Sequence, residues 1–299
     1  MRVVWLAVTF ALGSAFMAAL STSVQHQVAG TAPKDVGGTW QLLWHLLHRP
    51  WWLVGQLFGF CGFLFHALAL FNGPIALVQP IIITGIVFAV MVRAAIAREW
   101  PEPRETAIVG LTASALVVFL LASNPSEGAG RPEGAVFLVL VGASAVAGLT
   151  VFGLAKLLPQ GREQGFLMGA GAGFVFGLVA VLLKAAEEEQ SQGGIWQMVT
   201  TWPLYATFAA GLTGVALNQA AYRVSRISAS MPVLNVVNIL LGLAFGYLVF
   251  METPRTTPVA LVLMGVSLAT LCVGLYLTAN YEARREEELE IVPPSALRP

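Results

Sequence analysis

Nine long apolar stretches, joined mostly by short connections, dominate this chain of 299 residues and leave few folds open to it. They fall at about 3–27, 51–71, 74–97, 104–123, 134–158, 164–186, 199–222, 229–251 and 257–280. A bilayer core of about 30 Å takes about 20 apolar residues of helix to cross, so each stretch is long enough to span a membrane. Composition agrees: 57% of residues are hydrophobic and only 11% are charged, against roughly 25% charged in a soluble domain, whose surface must face water. The expected fold class is an all-α polytopic membrane protein with about nine transmembrane helices. The lipid bilayer is its first partner.

Charge and cysteine usage exclude several classes. The net charge is zero, so nothing points to a nucleic-acid partner. Cys61 and Cys272 both lie in apolar runs, where cysteine serves as a small buried hydrophobe. The one long connection, 28–50, carries Trp40, Trp44, His45 and His48, and Trp51 and Trp52 follow it. Tryptophan concentrates at the bilayer edge because its ring is apolar and its N–H wants water. His45 and His48 share a helix face, but without a carboxylate or thiol beside them they make a weak metal site. No cofactor and no bound metal is expected.

Arg2 and the apolar run after it have the look of a signal peptide. The run continues into Ser21, Thr22, Ser23 and Gln25 without a small-x-small cleavage site, so it is read as a retained span. With nine spans and a cytoplasmic C-terminus, the inner side holds Lys34, Arg49, Arg93, Arg98, Arg104, Lys156, Arg162, Arg223, Arg226, Arg284, Arg285 and Arg298. The outer side holds Arg2, Arg131, Lys184 and Arg255. Twelve basic residues against four is the bias of the positive-inside rule. It places the N-terminus outside and the chain in the cytoplasmic membrane. Glu187, Glu188 and Glu189 then fall in an outer loop, and Lys184 is expected to snorkel to the interface.

The chain repeats itself. A shift of 152 residues brings Gly62 onto Gly214, His66 onto Asn218 and Pro80 onto Pro232. One residue of slack puts Glu99-Trp100-Pro101 on Glu252-Thr253-Pro254. Before the long first connection, a shift of 158 matches Gly13, Phe16 and Leu20 with Gly171, Phe174 and Leu178. Spans 1–4 (residues 1–124) thus correspond to spans 6–9 (161–281), with span 5 (125–160) as connector and 282–299 as a charged, Pro-containing cytoplasmic tail expected to be disordered beyond a short helical extension. Equivalent helices separated by an odd number of spans cross in opposite directions, so the repeat is inverted. Such folds place a substrate site near the midplane and expose it to each side in turn.

The stretch Met231-Pro232-Val233-Leu234 through Glu252 to Gly265-Val266 resembles the second half of an EamA-type repeat, and Pro80 through Glu99 to Gly110 resembles the first copy. The motif is a proline early in one helix, about twenty apolar residues, then a Glu opening a short turn into the next helix. The resemblance is to the drug/metabolite transporter superfamily. It covers all but the tail after Tyr281, on degenerate motifs. It implies a secondary carrier with a central cavity lined by spans 1–4 and 6–9. Members usually have ten spans, and the count of nine resembles the magnesium-transporter-like NIPA branch.

Polar groups are costly inside hydrocarbon and tend to face a cavity or a partner helix. Ser14, Ala18, Ser21 and Gln25 share one face of span 1, a stripe that suits either a cavity wall or a tight helix contact. Gln56 and His66 lie in span 2, Gln79 beside Pro80 in span 3, Asn218 and Gln219 in span 7, and Asn235 and Asn238 in span 8. These are the candidate substrate-pathway residues. His66 could change charge near neutral pH, or stay neutral and bonded between helices. Pro80 and Pro232 remove backbone donors and are candidate hinges. Gly165, Gly169, Gly173 and Gly177 recur every fourth residue in span 6 and are read as a helix-packing stripe.

No Asp or Glu falls well inside a span, which argues against a carboxylate-driven proton antiporter and weakens a magnesium carrier. The best fit is a non-enzymatic carrier of a small uncharged or zwitterionic solute. A divalent-cation carrier, a non-transporting scaffold and an enzyme acting on lipid-linked substrates are the alternatives, and a homodimer is compatible with the chain.

Overall fold

The computed structural model describes residues 4–29, 47–82, 84–97, 102–125, 128, 134–224 and 227–291. Among them the chain is helical: α1 (Val4–Ala29), α2 (Pro50–Asn72), α3 (Ile75–Ile82), α4 (Gly85–Ala97), α5 (Pro103–Ser123), α6 (Gly134–Ala155), α7 (Arg162–Thr200), α8 (Trp202–Val224), α9 (Ile227–Leu248) and α10 (Pro258–Ile291). Seven segments are long and apolar enough to cross a membrane: α1, α2, α3 with α4, α5, α6, α7 and α10. The chain is a polytopic α-helical membrane protein. Of the nine expected spans, the other two correspond to helices α8 and α9, whose described residues fall short of that length and hydropathy. Thr207, Thr213 and Asn218 dilute the hydropathy of α8, and the apolar part described in α9 is the shorter Val233–Leu248.

The outside of the bundle is what lipid requires. Leu121, Val136, Leu157, Leu212 and Val259 are each at least 70% exposed, and in hydrocarbon such side chains need no cover. The buried positions are small. Ala7, Ala11, Ala15 and Ala19 lie every fourth residue along α1, at most 3% exposed, so neighbours can approach its backbone. In α7 the glycine stripe does this work. A Cβ on Gly173 would come within 2.6 Å of the Leu234 carbonyl oxygen, and one on Gly177 within 2.7 Å of Leu241. Gly169 faces Ser230 in the same way and Gly165 is buried. The stripe is the seat of α9.

Packing follows a pattern. α1 packs chiefly on α2 and also on α3 and α4; α7 packs equally on α8 and α9; α5 pairs with α10. Helix α3 rests on α9, and α7 also touches α6 and α2. About 72% of the apolar window of α7 is buried, against 17% for α6, so α7 is the central helix and α6 a peripheral one.

Two sequence expectations are corrected. The third span is not continuous: α3 ends at Ile82 and α4 begins at Gly85, just after Pro80. Pro80 has no N–H for the ladder, and the chain turns where the Thr84 N–H and hydroxyl both donate to the Ile81 carbonyl. Pro232, by contrast, sits inside an unbroken α9, so only the first of the matched prolines accompanies a break. Second, α7 does not stop near residue 186. It runs through Glu187–Glu189 and bends at Gly193 and Gly194, where Gly194 has φ 73°, a conformation natural only to glycine. Beyond the bend Ile195 and Trp196 are exposed. At its far end α10 carries the helix on from Glu282 to Ile291, where a short helical extension is expected.

Candidate functional site

The polar residues picked from sequence divide into packing groups and unmatched groups. Ser14 is 4% exposed, and its hydroxyl donates to the Gly62 carbonyl at 2.8 Å. Ser21 is buried against Gly59. Both close the α1–α2 contact. The side chains of Gln25, Gln219 and Pro232, and all of His45, lie outside the described residues. Gln56 and Asn235 are half-buried on α2 and α9, and Asn218 is half-buried on α8 and engaged with a neighbour.

Gln79, His66 and Asn238 differ from these. Gln79 is fully buried in α3, and among the described residues neither its Oε1 nor its Nε2 has a hydrogen-bond partner. Its stem lies against Gly242 of α9, where an added Cβ would come within 2.6 Å of the Gln79 Cγ. Asn238, one turn before Gly242 on the same face of α9, has an unpaired, buried Oδ1. His66 on α2 has an unpaired, buried Nε2. Buried polar atoms in folded proteins are almost always paired, and each exception asks for an explanation. Two of the three belong to the helices that meet at the centre, α3 and α9. Beside the α3–α4 break is a gap of about 10 Å³ lined by Pro80, Thr84, Thr112 and Leu271 among others, room for about one water.

A second group of residues was missed from sequence. Lys184 does not snorkel: it is 7% exposed. Its Nζ donates to the carbonyls of Leu70 (2.8 Å) and Gly73 (3.1 Å) and lies 3.1 Å from a Glu187 oxygen. All three ammonium protons are thereby used. Glu252, 2% exposed, receives the Ile75 N–H on Oε1 at 2.7 Å and the Ala76 N–H on Oε2 at 2.8 Å. A cation thus sits on the carbonyl end of α2, and an anion on the amide end of α3, the signs that helix ends attract. Those ends also carry the groups a helix leaves unsatisfied. Met251, at φ 54°, turns the chain after α9 so that Glu252 points back into the bundle. Gly246 leaves room for the carboxylate, since a Cβ there would come within 2.7 Å of it.

Burial pushes the Glu252 carboxyl above its ordinary 4.5, opposed by the Ala76 and Ile75 N–H groups and by Lys184. The sequence signal was there: Glu252 opens one copy of the matched Glu-x-Pro, and Lys184 is a lone cation in an apolar run with Glu at i+3. Glu105 at the start of α5 is also buried, at 1%. Acidic residues do keep to span ends, but three of them are withdrawn from solvent there. Among the described residues no three His, Cys, Asp or Glu side chains cluster as metal ligands.

No family model matches the chain, and no solved structure matches it. It is similar to an uncharacterised protein of Corynebacterium glutamicum, with 26% identity over 271 residues, which is 90% of this chain and 93% of that one. Similarity over nearly the full length of both chains indicates that the likeness concerns the whole bundle and not one module.

Proposed function

We propose that the chain is a secondary carrier of the drug/metabolite type, moving a small uncharged or zwitterionic solute by alternating access between inverted halves. Gln79 carries the proposal. Each buried, unpaired polar group costs about 1–3 kcal/mol, so a whole amide with no partner at the centre of a bundle makes sense when something absent uses it. Asn238 and His66 repeat the situation on α9 and α2. Their groups are neutral hydrogen-bonding groups, which suits an uncharged or internally balanced solute better than a bare ion.

Recurring contacts support the inverted repeat. Gly62 meets the Ala18 backbone, and Gly214 meets Phe176. These pairs are related by the same two shifts, 62 + 152 = 214 and 18 + 158 = 176. Gly85 meets Ala15, and Gly173 meets Val237, where 85 + 152 = 237 and 15 + 158 = 173. Each half repeats some of the packing as well as the sequence spacing, as an inverted repeat would require.

The test is solute uptake by purified protein in liposomes, over a broad panel of neutral and zwitterionic metabolites with magnesium and other divalent ions alongside. At least one neutral or zwitterionic solute should enter, and Gln79→Leu should stop it. Movement of a divalent ion alone would favour the NIPA-like alternative. Movement of nothing would favour the scaffold.

A further inference from the structure

We propose that Lys184, Glu252 and helix α3 form the gate at one end of the carrier, a latch in which two side chains of the second half hold both sides of the α2–α3 break in the first. The proposal builds on the alternating-access function above and specifies how one end is closed. Among the described residues, five hydrogen bonds tie the halves there: two from Lys184 to Leu70 and Gly73, two from Ile75 and Ala76 to Glu252, and one from the Arg255 N–H to the Ser123 carbonyl at 3.0 Å. For that end to open, these ties between halves must break.

Helix α3 is built to be the moving part. It has eight residues and stands free of α2 beyond the Gly73-Pro74 turn. Its N-terminus is held by Glu252, and its C-terminus is cut off from α4 after Pro80, beside the small gap. Its opposite face carries Gln79 against α9. Withdrawing Glu252 therefore frees the element that carries the unpaired amide. The cost of breaking is limited because water can take the places of Glu252 and Lys184 once the end opens. A buried charge pair is otherwise weak evidence for stability. The same pair is well suited to a contact that must be specific when made and replaceable when broken.

Access to α3 can be read without any substrate. Val78 is fully buried one turn below the cap. In a protein whose Cys61 and Cys272 are replaced by Ser, Val78→Cys should react slowly with a water-soluble maleimide in lipid nanodiscs. Glu252→Ala and Lys184→Met should each raise that rate by at least about tenfold, because each removes two of the five ties. Gly246→Ala should do likewise with all charges kept, since its new Cβ displaces the carboxylate. Unchanged rates in all three variants overturn the latch. So does restoration of slow labelling by the swap Lys184→Glu with Glu252→Lys, which would keep one charge of each sign but put the wrong sign on each helix end. Because labelling needs no solute, failure here is separate from failure of liposome uptake, which judges the carrier itself.

Discussion

Gly173→Ala gives the sharpest measure of how closely α7 and α9 are packed. The added Cβ would stand 2.6 Å from the Leu234 carbonyl oxygen and 2.9 Å from the Val237 Cβ. Ordinary contact begins near 3.4 Å, so the shortfalls are 3.4 − 2.6 = 0.8 Å and 3.4 − 2.9 = 0.5 Å. The first neighbour is backbone and can move only if α9 moves. Overpacking of this kind costs about 1–3 kcal/mol, while exchanging glycine for alanine in a helix gains about 1 kcal/mol. The comparison that isolates the contact is Gly265→Ala on α10, where nothing lies within 4 Å and only the propensity gain applies. The two variants should differ by about 1–3 kcal/mol in favour of Gly265→Ala. At about 2–4 °C per kcal/mol, the gap in melting temperature is about 2–12 °C. Fluorescence-detected size-exclusion after heating in one detergent measures it for both. If Gly173→Ala melts at or above Gly265→Ala, the close approach of α7 and α9 is refuted.

Gln79→Leu should stabilise the protein by about 1–3 kcal/mol, the relief of a buried unpaired group, while abolishing uptake; a loss of stability would show that the amide has partners of its own. Ser14→Ala should cost about 0.6 kcal/mol, one interhelical hydrogen bond in a membrane, with uptake kinetics unchanged, and a large uptake defect would return Ser14 to the pathway. For Glu252 the sign follows from burial. A carboxyl raised above 4.5 in the closed end binds its proton more tightly there than in water, so protonation favours closure and the effect fades as pH rises through the raised value. Relative to an exposed control cysteine at the same pH, which carries the general rise in thiolate reactivity, labelling of Val78→Cys should therefore accelerate as pH climbs from about 4.5, with Lys184 and Glu187 the charged neighbours, and this relative acceleration should vanish in Glu252→Ala.

Hydropathy made the membrane class and most helix positions legible, because each helix must carry its own apolar length. Packing at the glycine stripe was legible too, since Gly169, Gly173 and Gly177 fall on one face by helical period alone. What sequence could not show is anything set by distant neighbours. Glu252 and the Ile75 amide are 177 residues apart, and no local pattern says that a carboxylate in one turn will cap a helix in the other half. Lys184 was misplaced for the same reason. Near a helix end a lysine snorkels unless carbonyls and a carboxylate wait for it inside, and these come from α2 and from one turn further along α7. The break after Pro80 was signalled by the proline, but the unbroken α9 at Pro232 shows that proline permits a break without dictating one.

The two halves divide their small residues differently. At the crossing of α1 over α4 the glycine is Gly85 on the crossing helix, facing Ala15; at the matching crossing in the second half it is Gly173 on the central helix, facing Val237. A close crossing requires one glycine, and either partner can supply it. Mutations at such a pair are then compensatory: a lineage can lose the glycine from one helix once the other has gained it. Position by position the halves drift apart while the spacing between their backbones is conserved. Homologues should therefore show residues 15 and 85 covarying, and likewise 173 and 237, as linked choices of which helix gives way.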